Sequence, residues 1–535
     1  MRFRSIILTS LLAGFFLTYS GCDDFLTPEP QSFSTNTTFY QTQADFEQAI
    51  NGVYVEFRAL VATNQYRNIA DRRGPTTTKH FDVNLPHTVS GAPNTDEFTM
   101  DPANPQSPNL WANTYDLVNQ ANVIITRIDD AEFEDESVRG RIRGEALTMR
   151  AFAYWFAGQV WGGVPIVLVD SRTPEEAVPQ AGRSTVDGVY SQVISDLQTA
   201  IPGLPINDDA GGRITQGAAK FLLGRTFLLT GQYQEALNEF QDIDGGSYPY
   251  MLLEDSREVF DPTKKNGSES LWEVQFNPTI AGQPDLDIWN LTLPNNAAAA
   301  TISNGGLLPN NATPQTSAGW LMPTPDLIAS IEPGDERWTE YLAWWVTPDN
   351  NGAQEIAWPV GDLASAVESG DSIAYFFKYY YPETVSSIGE SMNNWVLFRF
   401  SDVLLSAAEA SWRLGMSGEA ENYLNRVRAR SGLGPVNLAN YPRSATSGIS
   451  VGDALGDAIL HERLIELMGE GHAWFDIKRF GENFAVDVMN AHGDRFKARD
   501  RKVTAEMYNV QPHMLLYPIP PNEITLASLS QNSGW

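Results

Sequence analysis

The chain runs to 535 residues and carries 66 acidic against 36 basic side chains, a formal net charge of -30 and a pI near 4.5. A surface this acidic excludes nucleic acid as a partner and disfavours anionic membrane faces, because both call for a basic patch. The only cysteine is Cys22, so no disulfide can form within the chain, and stability has to come from burial.

The N-terminus carries Arg2 and Arg4 ahead of an apolar run from Ile6 to Tyr19, the layout of a secretory signal. The run is too short to span a bilayer comfortably as a permanent helix. It ends in Tyr19-Ser20-Gly21-Cys22, a lipoprotein-type cleavage site that makes 1–21 a signal peptide and Cys22 the lipidation site. After cleavage the Cys22 thiol can take a diacylglycerol and its amine a further acyl chain such as palmitate, and two or more chains anchor stably where one does not.

Past a polar, proline-containing tether at 23–30, apolar residues return at helical spacing over 38–60. The stretch 64–110 is dense in Pro, Asn, Asp and Thr and reads as loop with short strands. Helices are expected at 111–128, 138–160 and 186–200, with turns such as Gly162-Gly163-Val164-Pro165 between them. A tight helical pair follows at 216–230 and 233–243, with Gly231 in the turn and Ala236/Phe240 at the A-x3-F spacing of a tetratricopeptide repeat. The layout recurs at 402–414 and 418–430, with Gly415 in the turn and Ala420/Leu424 at the same spacing.

Between those pairs lies 245–394, rich in Asn, Gly and Pro and too long for a simple connector, with a strand expected at 270–276. It holds Trp272, Trp289, Trp320, Trp338, Trp344, Trp345 and Trp358, half of the 14 tryptophans of the chain. Rigid aromatic faces on irregular backbone are a frequent binding design. Trp111, Trp155, Trp161 and Trp474 fall on helical apolar faces instead and are expected in the core.

A set of ordered motifs resembles the SusD/RagB family of nutrient-uptake outer-membrane lipoproteins across nearly the whole chain. They include Cys22-Asp23-Asp24-Phe25-Leu26, Ala49-Ile50-Asn51-Gly52-Val53-Tyr54, Gly144-Glu145-Ala146-Leu147 and Trp161-Gly162-Gly163-Val164-Pro165. Further on come Gly212-Arg213-Ile214-Thr215, Arg399-Phe400-Ser401-Asp402, Val427-Arg428-Ala429-Arg430-Ser431-Gly432, His461-Glu462-Arg463, Gly471-His472-Ala473-Trp474-Phe475-Asp476 and Leu516-Tyr517-Pro518-Ile519-Pro520.

The resemblance implies a mainly α protein, a scaffold of four tetratricopeptide-like helical hairpins with long irregular loop insertions. It places one SusD-like domain over 22–535, with hairpins within 38–243 and 401–430, a ligand-binding insertion at about 245–394 and a helical and loop region at 431–535. It also implies a lid over a SusC-like TonB-dependent transporter at the cell outer membrane, lipid-anchored and facing the exterior. Such proteins bind oligosaccharide or polysaccharide, in some cases peptide, and are not catalysts. No cofactor or metal is called for. The alternative functions are a secreted glycan or peptide hydrolase and a helical-repeat protein-interaction scaffold.

Within that frame Trp320 is the leading candidate for stacking on a sugar ring, with Trp289 and the Trp344-Trp345 pair behind it. Asp71 and Arg73, with Arg72, are expected in the first long loop, where they could hydrogen-bond to ligand hydroxyls. Two motifs point towards catalysis and are rejected. His461-Glu462-Arg463-Leu464-Ile465 lacks the second histidine of a zinc-protease helix, and His472 is read as satisfying backbone groups beside Trp474. Gly448-Ile449-Ser450-Val451-Gly452 matches a nucleophile elbow without the apolar strand that must precede it, so Ser450, with Asp453, is read as a helix cap. If the anchor is right, Cys22→Ala expressed in the native cell leaves the outer-membrane fraction. A variant that sediments with outer membrane as before would refute it.

Overall fold

The computed structural model describes residues 39–78, 95–99, 106–170, 182–208, 211–277, 321–346, 355–357, 372–381, 391–441, 444–499 and 507–535. Cys22, Trp289, Trp320 and Trp358 lie outside them. No helix among the described residues is long and apolar enough to cross a membrane.

Helix α1 (Gln43–Val61) opens with a capping box, in which the Thr42 hydroxyl accepts from the Asp45 N–H and the Asp45 carboxylate accepts from the Thr42 N–H at 2.9 Å. Its buried residues Phe46, Ile50, Val53, Phe57 and Leu60 recur at three- and four-residue steps and form one apolar stripe. That stripe packs on α2 (Gln106–Arg127). The pattern then repeats: α3 (Glu136–Trp161) pairs with α4 (Val186–Ala200), α5 (Gln216–Leu229) with α6 (Tyr233–Asp244), and α7 (Phe400–Arg413) with α8 (Ser417–Arg430). Consecutive pairs also touch, α2 on α3, α4 on α5 and α6 on α7. The described residues therefore hold a continuous array of four helix pairs, the mainly α hairpin scaffold the sequence leads one to expect.

Close approach within a pair is set by small residues. A Cβ added at Gly224 would lie 2.5 Å from the Phe240 ring, so α5 and α6 can meet at this distance only with glycine at 224. Ala236 beside it is fully buried. The turn glycines Gly231 (φ 78°) and Gly415 (φ 77°) take the left-handed conformation that ends a helix and starts its partner.

The ends of the insertion are closed by a sheet. β2 (Ser270–Val274) runs antiparallel to β7 (Trp395–Arg399). Trp272 on β2 is buried and stacks on Phe57 of α1 at 4.8 Å. Two further sheets lie in the insertion or at its margin: β1 (Thr77–Thr78) pairs with β3 (Met322–Pro323), and β4 (Leu342–Val346) lies between β5 (Glu355–Ala357) and β6 (Ser372–Phe376). Helices α9 (Ala454–Glu466), α10 (Ala473–Arg479) and α11 (Glu482–Arg499) complete the fold, α9 lying on α7 and α10 on the turn at 68–72.

Three expectations need correcting. The stretch 64–110 contains helical turns at Asn64–Arg67 and Asn68–Arg72, and α2 already begins at Gln106. Of the insertion's seven tryptophans, two leave the candidates for exposure, because Trp272 is in the core and Trp338 is packed against it. The cap of α9 is Asp453, whose carboxylate accepts from the Leu455 and Gly456 N–H groups, while Ser450 donates to Asp457 at 2.6 Å. Trp155, Trp161 and Trp474 are in the core as expected, and Trp111 is 5% exposed at its edge.

Because Ala236 has no free volume around it, Ala236→Leu should lower the unfolding free energy by about 1–3 kcal/mol through overpacking. A urea titration with an unchanged midpoint would contradict the placement.

Candidate ligand-binding face

Four of the motifs that carry the family resemblance, 399–402, 427–432, 461–463 and 471–476, converge in two buried charge clusters. In the first, Arg225 of α5 reaches both Asp402 oxygens at 2.9 Å and Asp476 at 3.2 Å. Arg463 of α9 meets Asp402 at 2.8 Å and Asp476 at 2.9 Å, and Arg479 meets Asp476 at 2.7 Å and Glu409 at 2.6 Å. Three guanidiniums and three carboxylates thus tie α5, α7, α9 and α10 together. Burial alone would raise the Asp402 carboxyl, but the Arg225 and Arg463 charges outweigh it and hold it down at about 2. His472, also buried, lies 3.9 Å from Asp402, and burial lowers its pKa.

The second cluster fastens the insertion to the scaffold. Arg399 at the end of β7 meets Glu470 at 2.7 Å and Glu269 at 3.0 Å, and Arg430 of α8 meets Glu269 and Glu466. From the insertion, Arg337 contacts Glu462 at 2.6 Å and Glu466 at 2.9 Å, Lys378 contacts Glu470 at 2.7 Å, and Glu332 receives Arg428 at 2.6 Å. Each of these side chains except Glu332 is almost wholly buried.

On that base the two long irregular segments share one root. Thr78, where the chain enters 79–94, pairs with Met322, which follows Trp320 by two residues. The root is tied down: Thr324 donates its hydroxyl to the Pro75 carbonyl at 2.7 Å and its N–H to the Thr76 carbonyl at 3.0 Å. Asp96, at the far end of the 79–94 segment, accepts from Arg72 at 3.1 Å and from the Thr78 hydroxyl at 3.3 Å. β6 lies beside β3. The described ends of the two segments are thus held together at β1 and β3.

The candidate residues divide accordingly. Trp320 adjoins this root and Trp289 belongs to the segment it terminates, but both lie outside the described residues. Trp344 and Trp345 sit in the central strand β4, opposite Ala357 and Ile356 of β5, and so are not on the irregular backbone expected of them. Asp71 and Arg73 are buried completely. Asp71 accepts from the Gly471 N–H at 2.9 Å, and burial pushes its carboxyl up to about 7. Arg73 lies over the rings of Phe98, Tyr517 and Trp474 at 4.2, 4.8 and 5.3 Å and donates to the Met514 carbonyl. Side chains with no exposed surface cannot meet a ligand without the core opening, so both leave the ligand-binding set and become packing residues.

The catalytic motifs resolve as structure. His461 is buried edge-on to Tyr441, and burial drops its pKa to about 3. Ser450 donates to the Asp457 carboxylate, and among the described residues no histidine is set beside it as in a serine nucleophile. Among the described residues no group of His, Cys, Asp and Glu is arranged to hold a metal ion.

Comparison with known proteins fits this architecture. The model of the family described as "SusD family" matches residues 268–535, half of the chain, and a second, described as "Starch-binding associating with outer membrane", matches 24–228. The chain belongs to the SusD family. SusD-like protein P25 of Formosa agariphila is 25% identical over 99% of both chains. Among solved structures, a laminarin-binding SusD-like protein superposes with a TM-score of 0.67 at 24% identity, covering 93% of this chain and 100% of that one. Surface glycan-binding protein A of Bacteroides thetaiotaomicron, solved with laminarihexaose, also gives 0.67, at 20% identity and with 92% and 100% covered. For a SusD family member, then, the ordered motifs of the second half are the ion-pair lattice rather than a site.

The lattice was not foreseen from the sequence, although its carriers stand out as charged residues on helices otherwise buried all round. Asp402→Asn should destabilise the fold by about 3–5 kcal/mol, because Arg225 and Arg463 then keep buried, undercompensated charge. Asp402 titrates near 3.8 when unfolded and at about 2 when folded. Its contribution is therefore complete above pH 4 and is lost as pH falls from about 4 to about 2. Unfolding midpoints measured from pH 6 to pH 2 should show the wild type losing stability over that window, and the Asn variant losing less.

Proposed function

We propose that this SusD family protein is a lipid-anchored outer-membrane protein that captures oligosaccharide or polysaccharide and passes it, unaltered, to a SusC-like TonB-dependent transporter. One observation carries the reading: the fold matches, over more than nine-tenths of its length, proteins named for binding laminarin and laminarihexaose. The common root of the 79–94 and 278–320 segments supports it by giving the tryptophan-bearing insertion a fixed base. Trp320, two residues before β3 in the sequence, is the leading candidate to stack on a pyranose, with Trp289, Trp344 and Trp345 as further candidates. Indole faces suit the C–H faces of sugar rings and need no charge, which agrees with a chain whose acidity recommends no charged partner. Export, acylation at Cys22, orientation towards the exterior and the transporter partner belong to the same proposal.

Trp320→Ala should weaken binding of the preferred oligosaccharide by about ten- to a hundredfold, the scale of ring stacking, with the unfolding midpoint nearly unchanged. Titration calorimetry on a glycan panel, followed by chromatography of the recovered glycan, reads both affinity and turnover. Cleaved product from the purified protein would move the reading to a hydrolase. Binding to the transporter with no glycan bound would move it to a protein-interaction scaffold. A large loss of stability with wild-type affinity per folded molecule would remove Trp320 from the site.

A further inference from the structure

A cleft of about 980 Å³ opens between the C-terminal end of α3, the start of α4, α10 and the C-terminal segments around 511–516 and 532–534. None of its walls comes from the described residues of the insertion. The charged side chains lining it are Arg183, Lys478, Arg479, His513 and one acid, Glu482. Arg479 is fully engaged by Glu409 and Asp476. Among the described residues Arg183 and Lys478 are held by neutral oxygens.

Arg183 spends its N–H groups on neutral oxygens: Nε on the Gly163 carbonyl at 2.7 Å, Nη1 on the Ser530 carbonyl at 2.9 Å, and Nη2 on the Trp161 carbonyl at 3.2 Å and Asn532 Oδ1 at 2.6 Å. Lys478 Nζ donates to the Gln159 carbonyl at 2.5 Å and the Leu515 carbonyl at 3.5 Å, and lies 5.5 Å from the ring centres of Trp474 and Phe475. Carbonyl dipoles orient a cation but bring no net negative charge. The described lining thus sets these two cations against the single acid Glu482, an excess of positive charge in a chain with 66 acidic residues that an anionic ligand would offset. The cleft is far larger than a simple ion needs, and Tyr190 and the amides of Gln159 and Gln511 also face it, an apolar ring with hydroxyl-binding partners.

We propose that this cleft is a second ligand site, one that takes a carboxylate-bearing saccharide unit, a uronate, with Lys478 and Arg183 as its cationic partners. Burial, and after it the charge of Arg73, lower Lys478 to about 7, which brings its titration into the neutral range. A carboxylate arriving beside it favours the charged form, and binding takes up a proton. Arg183, Arg479 and His513 also line the cleft, with Glu482 as the one acid of its described lining.

The test is calorimetry of the mature protein with glucuronate, glucose and acetate as probes. Glucuronate should bind, glucose should not, and acetate should bind more weakly than glucuronate. The affinity for glucuronate should fall by about tenfold per pH unit above pH 7, as the charged amine is lost. Lys478→Met should weaken glucuronate binding by roughly ten- to a hundredfold, the scale of one charge-assisted hydrogen bond, and Lys478→Arg should restore binding and remove the pH dependence. Trp320→Ala should leave it unchanged, which separates this site from the insertion. Glucuronate binding that is absent, matched by acetate, independent of pH or unaffected in a folded Lys478→Met would overturn the proposal. Should that variant fail to fold, the wild-type pH profile and Lys478→Arg decide.

Discussion

The fold depends on charge buried where a helical array would ordinarily place leucine. Taking an ion out of water costs several kcal/mol, and only good geometry with its counter-ion and hydrogen-bond partners offsets that cost. Here the geometry is met from distant parts of the chain. Asp402 of α7 binds guanidiniums from α5 and α9, and Glu466 of α9 receives Arg337, Arg399 and Arg430 from the insertion, β7 and α8. An apolar contact can slide by a residue at little cost, whereas a buried ion that loses its partner is left uncompensated. The lattice thus selects one register for the helices that carry it, α5 and α7 to α10, and penalises the rest.

The same constraint explains how an irregular insertion can serve a fixed purpose. Segments with little periodicity have few ways to bury their own surface and must borrow order from the scaffold. Glu332, Arg337 and Lys378 do this through ion pairs, and Met322 and Pro323 through the strand shared with Thr77 and Thr78. Function is then free to reside in what lies beyond the root. Paired helices that hold a fixed root leave the ligand to the segments that start from it, the general way in which one scaffold can serve different sites.

How legible this was in the sequence depended on where each element buries its side chains. Helix α4 was read at its observed limits, Val186–Ala200, because a half-exposed helix shows its period plainly. The hairpins α5/α6 and α7/α8 were read from small residues at fixed spacing. By contrast α9 is buried on all sides, from Leu455 to Glu466, and a helix with no solvent face has no polar stripe to betray its period. Asp71 and Arg73 misled for a related reason. Their stretch has the composition of a loop, yet the partners that allow them into the core, Gly471 and Met514, lie about four hundred residues away. The family resemblance named the fold, and four of its motifs, 399–402, 427–432, 461–463 and 471–476, are carriers of the lattice, which is why they could not point to the ligand.

The central claim is that a charge-locked scaffold stays still while the insertions rooted at β1 and β3 meet the glycan. Hydrogen exchange of the mature protein, with and without the best-binding oligosaccharide of a panel that includes laminarihexaose, tests this most directly. The account predicts that added protection is confined to peptides from 79–94 and 278–371, with α5 to α9 exchanging as in the free protein. Protection spread through α5, α7 and α9, or none in the insertion while the glycan is bound, would contradict it.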